Sequence, residues 1–488
     1  MYTLWGNPSH MAYIKSQLET QFSKHSFNNE KLFVYTTGSH PGYITYDGID
    51  INGKRISDEI KTITNSLMNQ GGKVTKFSCV GYSLGGLMIR YAIGELFNSN
   101  YFDHYNIEPV NFVTFCSPHV GVLLPEVNLS IKLFNKIVPY LLANTGNQLV
   151  LKDTINHHQH SHQQLPLLVL MCDPRFCFFK ALASFHYRSL YTNIINDKRT
   201  CFFTAGISNR DPFDSMHNQL ALGYHLAYIK EYAPVIIDYS KLIHYSKILL
   251  VDDDAAAATG ATGPRLSNFI SRKLNWFRVL ANIIFLTPLW AISLICRSVV
   301  ERVRLSLRVR KFFKETSILH LYDIIDDTDT DEDEDETVDI PSIKGSTTIE
   351  DENADTVYIS NELNTQTDMF MESVFDAMHT RKYHPYQYGF TSSSKGQLPL
   401  PSTLHLKDLK STKYRNDSNH GDNDEFRLKL TSHQEYIIEQ LNSLNWSKYP
   451  VLIRRTKATH AAVIVRSEEP LFEEGKLVVD HFVKSFRY

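Results

Sequence analysis

Apolar runs and helically spaced apolar residues alternate along the first part of the chain. The run "KLFVYTT", Lys31 to Thr37, is β-branched and aromatic and predicts a buried strand. In "ISDEIKTITNSLMN" the apolar residues Ile56, Ile60, Ile63 and Leu67 recur at helical spacing. A strand follows in "VTKFSCVG", ending at Gly81, then a helix in "LGGLMIRYAIGELF" and a strand in "PVNFVTFCS". Strands alternating with helices at this spacing predict an α/β fold with a mostly parallel sheet covered on both faces.

From Gly121 to about Leu190 the pattern turns apolar and helical, broken by "NHHQHSHQQ", where a helical lid is expected. "RSLYTNIIND" and "TCFFTAGI" read as two further strands. Past Leu250 comes a linker-like stretch and then "VLANIIFLTPLWAISLIC", Val279 to Cys296, apolar almost throughout. Its length is near the lower limit for a bilayer span, and Pro288 sits near its centre. Basic residues crowd both flanks, so a re-entrant or in-plane anchor is expected rather than a conventional span; a buried core helix is the contrasting reading. "DDTDTDEDEDETVD" and the polar stretch to about Glu425 bury too little apolar area to fold. Order returns with "SHQEYIIEQLNSLNW", "KYPVLIRR", "HAAVIVR" and "GKLVVDHFVKSF". The expected organisation is a core over 1–250 with its lid at about 121–190, a linker over 251–270 and a membrane-associating segment over 271–320. A disordered linker over 321–425 and a C-terminal part, 426–488, that completes the first domain's sheet then follow.

A net charge of −3 offers no global positive field for nucleic acid. The six cysteines are scattered without a C-x-x-C pair, and "MYTLWGNPSHMAYIKS" lacks the apolar core of a secretory signal. Both point to a reducing, cytosolic location with buried thiols rather than a disulfide framework.

The strongest chemical signal is Gly81-Tyr82-Ser83-Leu84-Gly85, followed by Gly86, placed between a strand and a helix. A serine on so tight a turn needs neighbours without side chains, and its hydroxyl is thrust clear of the backbone. The N–H of Leu84 and the helix N-terminus then face a developing oxyanion. Such a serine needs a base and an orienting acid, in the order Ser, Asp or Glu, His. Asp197, ending "LYTNIIND", and Asp211 in "NRDPF" are candidates for the acid; His460 and His481 are candidates for the base. His460 follows a strand and precedes small alanines, whereas His481 sits within an amphipathic helix and reads as packing. The cluster His157, His158, His160 and His162 is a rival metal site, without a cysteine or carboxylate partner at ligand spacing.

"LWGNPSHM", "GIDINGKRISDEI", "GYSLGGLMIRYAIG", "FCSPHVGV", "NTGNQLVLKD", "YTNIINDKRT" and "THAAVIVR" resemble, in order, the blocks of a fungal and plant serine esterase family of α/β-hydrolases. The likeness is greatest to the lipid-droplet phospholipases of budding yeasts. It implies an α/β-hydrolase core with Ser83 as nucleophile, Asp197 as acid and His460 as base, without metal or organic cofactor. It also implies a phospholipid or other acyl-ester substrate at a lipid droplet or endoplasmic reticulum surface. The family pattern places an apolar strand and His-Gly before "LWGN", with a second oxyanion donor just after, at Leu4. Here Met1-Tyr2-Thr3 stand before Leu4, so either the start lies too late or this donor is weakened. Losing one such donor costs about 3–4 kcal/mol. An acyltransferase or thioesterase would use the same three residues, and a catalytically silent membrane-bound adaptor is the contrasting outcome.

Overall fold

The computed structural model describes residues 6–22, 30–125, 129–155, 165–197, 199–213, 222–241, 243–247, 303–314, 321, 396–398 and 427–488. The helices are α1 (Ala12–Phe22), α2 (Ile49–Asn69), α3 (Leu84–Asn98), α4 (Tyr101–Tyr105), α5 (Leu129–Leu149), α6 (Leu167–Leu170), α7 (Cys177–Ser184) and α8 (Phe202–Ala205). They continue with α9 (303–314), α10 (Ser432–Asn442), α11 (Thr459–Ala462) and α12 (Glu473–Ser485). The strands are β1 (Lys76–Tyr82), β2 (Glu108–Phe115), β3 (Tyr187–Asn193), β4 (Leu222–His225), β5 (Ile243–Lys247), β6 (Gly396–Leu398) and β7 (Ser447–Val451).

The central sheet is parallel throughout, in the order β1-β2-β3-β7. Tyr82 pairs with Phe115, Phe115 with Tyr191, and Asn193 with Val451, so the four carboxyl ends lie along one edge. The last of these strands comes from the C-terminal part of the chain. A separate antiparallel sheet holds β4, β5 and β6.

Apolar burial lies on both faces of the central sheet, as its near-continuous apolar strands require. One cluster gathers α3, α6 and α7 with Ile49 and Ile56 of α2; the other gathers Met11, Ile14, Tyr82, Phe115 and Tyr191 with α12. α2 and α3 approach closely because Gly53 faces Tyr91, where a Cβ would come within 2.5 Å of the ring. The stretch expected to form a lid therefore divides: α6 and α7 are buried in the core, and α5 bends at Ala143 (φ 50°, ψ −129°), past Pro139.

Two expected strands are corrected. Lys31–Thr37 joins no ladder among the described residues. Leu32 and Val34 pack inward while Phe33 and Tyr35 are exposed, and Glu59 of α2 accepts bonds from the Tyr35 hydroxyl and the Gly38 and Ser39 N–H groups in place of a neighbouring strand. "TCFFTAGI" is the helical turn α8. Phe202 and Phe203 are consecutive yet both buried, in different clusters, which a strand's alternation does not allow on one buried face. Among the described residues no helix is long and apolar enough to cross a membrane. The apolar stretch 279–296, the histidines at 157–162 and nearly all of the 251–270 and 321–425 linkers lie outside them.

α9, just past that apolar stretch, is fixed to the core by a buried ion pair. The Asp47 carboxylate, without solvent exposure, accepts from Arg308 at 2.8 Å and from Arg55 at 2.9 Å. Removing the carboxylate leaves two guanidinium groups facing each other in a poorly solvated place. Asp47→Ala is therefore expected to lower unfolding free energy by about 3–5 kcal/mol in a urea titration. An unchanged midpoint would show that the pair contributes nothing.

Candidate active site

β1 ends at Tyr82 and α3 begins at Leu84, leaving Ser83 to make the whole turn at φ 54° and ψ −130°. Such a conformation in a residue with a side chain costs on the order of 1–3 kcal/mol and persists only where the surroundings enforce it. Here the Ser83 N–H donates to the Phe115 carbonyl at 2.8 Å, and the glycines let strand and helix touch. A Cβ on Gly81 would fall 2.5 Å from the Gly86 Cα, and one on Gly86 would fall 2.1 Å from the Ser117 Oγ. Leu84 opens the 15-residue α3, so its N–H is among the first four that find no carbonyl within the helix. Leu4, the other expected oxyanion donor, lies outside the described residues.

The structure places Ser83, His460 and Asp197 in one hydrogen-bonded row. His460 Nε2 lies 3.0 Å from Ser83 Oγ, and His460 Nδ1 lies 2.9 Å from Asp197 Oδ2. Ser83 is 7% exposed, His460 4% and Asp197 5%. His460 is held from behind by the Tyr82 hydroxyl, which donates to its carbonyl at 2.8 Å, and Thr459 Oγ1 donates to the Ile195 carbonyl.

Burial alone would raise the Asp197 pKa, but the His460 charge and hydrogen bond, the Thr200 N–H and the Asn193 amide outweigh it. The carboxyl stays below its ordinary value and is ionised beside His460. Cys116, at the end of β2 with φ 45°, also lies against Asp197; burial and that carboxylate keep its thiol protonated. Ligand atoms of Cys116, Asp197 and His460 also fall within 4.8 Å of one another. Sequence reasoning gave no role to Cys116, Asn193 or the Tyr82 hydroxyl. Their signal was their place within the blocks "FCSPHVGV", "YTNIINDKRT" and "GYSLGGLMIRYAIG".

The other candidates lie elsewhere. Asp211 accepts from the Phe213 N–H two residues on, and His481 Nδ1 meets the Tyr191 hydroxyl at 2.8 Å. Burial, with Arg466 and Arg199 nearby, lowers His10 to about 3; burial also lowers His40 to about 3 and His481 to about 4.

Residues 2–210 match the family described as "Putative serine esterase", a span that contains Ser83 and Asp197 but not His460. A "Putative lipase" of Schizosaccharomyces pombe is 30% identical over 200 residues, 40% of this chain and 24% of that protein. "Putative lipase ROG1" of Saccharomyces cerevisiae is 27% identical over 168 residues, 33% of this chain and 22% of that protein. A further "Putative lipase" of the same yeast is 28% identical over 210 residues, 38% of this chain and 28% of that protein. The chain thus matches less than a third of the length of these relatives. No solved structure matches it.

Two outcomes follow from this geometry. Gly81→Ala drives a methyl group into the α3 backbone and is expected to cost about 3 kcal/mol or more, seen as a lowered thermal midpoint and poor soluble yield. The three low-pKa histidines stay neutral when folded, whereas unfolded histidine titrates near 6.5. Their contribution is complete above about pH 6.5 and drains away as the pH falls toward about 3 to 4. Urea unfolding at about pH 7 and about pH 5 should show lower stability at the acid value, and a smaller gap in His40→Gln.

Proposed function

We propose that this protein is a serine hydrolase of the α/β-hydrolase type that cleaves fatty-acyl esters at a lipid surface, in keeping with the match of residues 2–210 to the family described as "Putative serine esterase". The observation that carries this reading is the Ser83–His460–Asp197 row, with its 3.0 Å and 2.9 Å contacts at the carboxyl edge of a parallel sheet. His460 Nε2 takes the proton of Ser83 as Oγ attacks the acyl carbonyl, and Asp197 holds the imidazole in the tautomer that can accept it. The tetrahedral oxyanion faces the Leu84 N–H at the positive end of α3. His460 then returns the proton to the departing alcohol, leaving the fatty acid esterified to Ser83. Water, deprotonated in turn by His460, releases the acid and restores the serine. No step calls on a metal or organic cofactor.

The substrate proposed is a glycerophospholipid, with neutral lipid esters as a further class. Two half-buried arginines support a phosphate-bearing substrate: Arg199 and Arg466 bear on both His10 and Tyr82, and so set a positive field beside the row. The proposed location is the cytosolic face of a lipid droplet or of the endoplasmic reticulum, with residues 279–296 as the anchor.

Ser83→Ala should abolish fluorophosphonate labelling and fatty-acid release from phospholipid vesicles, with the far-UV spectrum unchanged. Asp197→Asn should lower kcat by roughly 10⁴-fold. Full activity in Ser83→Ala would overturn the proposal, and a new ester in place of free fatty acid would turn it into an acyl transfer.

A further inference from the structure

The twelve positions 303–314, "VRLSLRVRKFFK", carry Arg304, Arg308, Arg310, Lys311 and Lys314 and no acidic residue. Wound as α9, they divide by helical spacing. Leu305, Arg308 and Phe312 turn toward the protein; Arg308 is held by the buried Asp47, and Phe312 packs on the main core. On the other side Val303 is 56% exposed, Leu307 61% and Phe313 51%, beside exposed Arg310 and Lys314. Large apolar side chains held out in water among cations are the pattern of a helix that lies in a membrane interface.

α9 is also one wall of a cleft. A cavity of about 630 Å³ separates it from α5, lined by Leu305 on one side and by Lys136, Asn144, Asn147 and Lys152 on the other. The strained Ala143 lines it too, at the bend of α5. The two walls are tied together through one residue: the Asp47 carboxylate binds Arg308, and its carbonyl accepts from the Asn144 amide at 3.0 Å. Two ammonium groups and two carboxamides around a cleft of this size suit an oxyanion such as a phosphate.

We infer that α9 and this cleft form a docking surface for an anionic phospholipid membrane, distinct from the ester-cleaving row. A headgroup phosphate enters the cleft beside Lys136 and Lys152, while Val303, Leu307 and Phe313 enter the acyl boundary. Charge complementarity chooses the occupant: an uninterrupted basic helix beside a cationic cleft matches the negative surface of a membrane rich in acidic lipids. The inference deepens the proposed function, because it supplies the surface at which the enzyme works, yet it stands on residues outside the row.

The test uses the full chain, and Ser83→Ala as a control that keeps the surface and removes the nucleophile. Amide hydrogen exchange is followed in peptides covering 303–314 and 136–152, with phosphatidylcholine vesicles alone and with phosphatidylserine added. The expected result is protection of both peptides only when phosphatidylserine is present, in the wild type and in Ser83→Ala alike. In the variant Lys136→Glu/Arg310→Glu/Lys314→Glu, the vesicle affinity read from this protection should fall by at least about tenfold, with hydrolysis of a soluble short-chain ester unchanged. Equal protection on neutral vesicles, no protection on either, or undiminished affinity in the triple variant would each overturn the inference. So would the same protection on raising protein concentration without vesicles, which would make a second copy the occupant. Loss of ester hydrolysis in the wild type, with docking intact, would count against the proposed function alone.

Discussion

The pairing of β3 with β7 is the contact on which the rest depends. Asn193 ends β3 beside Val451 of β7, and the two strands come from distant parts of the sequence. Asp197 and His460 lie 263 residues apart, and this register brings them to 2.9 Å. Closing so long a loop costs only logarithmically more than closing a short one, so a large intervening stretch is compatible with a short, well-aligned contact. The outer edge of β7 is covered in turn, since Ile237 donates to the Pro450 carbonyl and Leu452 to that of Val235.

A second constraint acts along the carboxyl edge of the sheet. Ser83, Cys116 and Asn196 each take a positive φ just past the end of β1, β2 and β3. Strain of this kind needs a rigid frame, and the frame is visible: buried strands, glycines where α3 meets β1, and backbone bonds from Ser83 to Phe115 and from Cys116 to Tyr191. The same burial sets the electrostatics. Asp197 keeps its charge because four groups donate to it, while burial holds His10 and His40 neutral. One low-dielectric interior thus sustains an ionised acid and neutral imidazoles according to the donors and charges around each.

The region around Asp47 shows how the core and its periphery are joined. Its carboxylate and carbonyl hold α9 and α5 to the segment that leads into α2. A charged residue without exposure is tolerated there because two guanidinium groups complete its shell. No local pattern in "TYDGID" or "LSLRVRK" announces this contact, since each stretch alone reads as a polar turn or a basic helix.

The division between sequence and tertiary structure follows the range of the forces involved. Gly81-Tyr82-Ser83-Leu84-Gly85-Gly86 was legible because the steric demand of the turn is local, met by residues adjacent in the chain. The strands β1, β2 and β3 were legible as short apolar runs, and α2 from its helically spaced apolar residues; α3, buried on all sides from Leu84 to Leu96, was legible from the length of its apolar run. Two other short runs were not: "TCFFTAGI" offers too few positions to separate a strand from a helical turn, and Lys31–Thr37 has a strand's composition without a ladder to join. Motif order left Asp197 and Asp211, His460 and His481, as candidates, and the family resemblance implied Asp197 and His460. Only the sheet register could decide that the Asp197 carboxylate meets the His460 imidazole and that this imidazole meets Ser83, because that depends on where distant strands meet and not on any residue's neighbours in the chain.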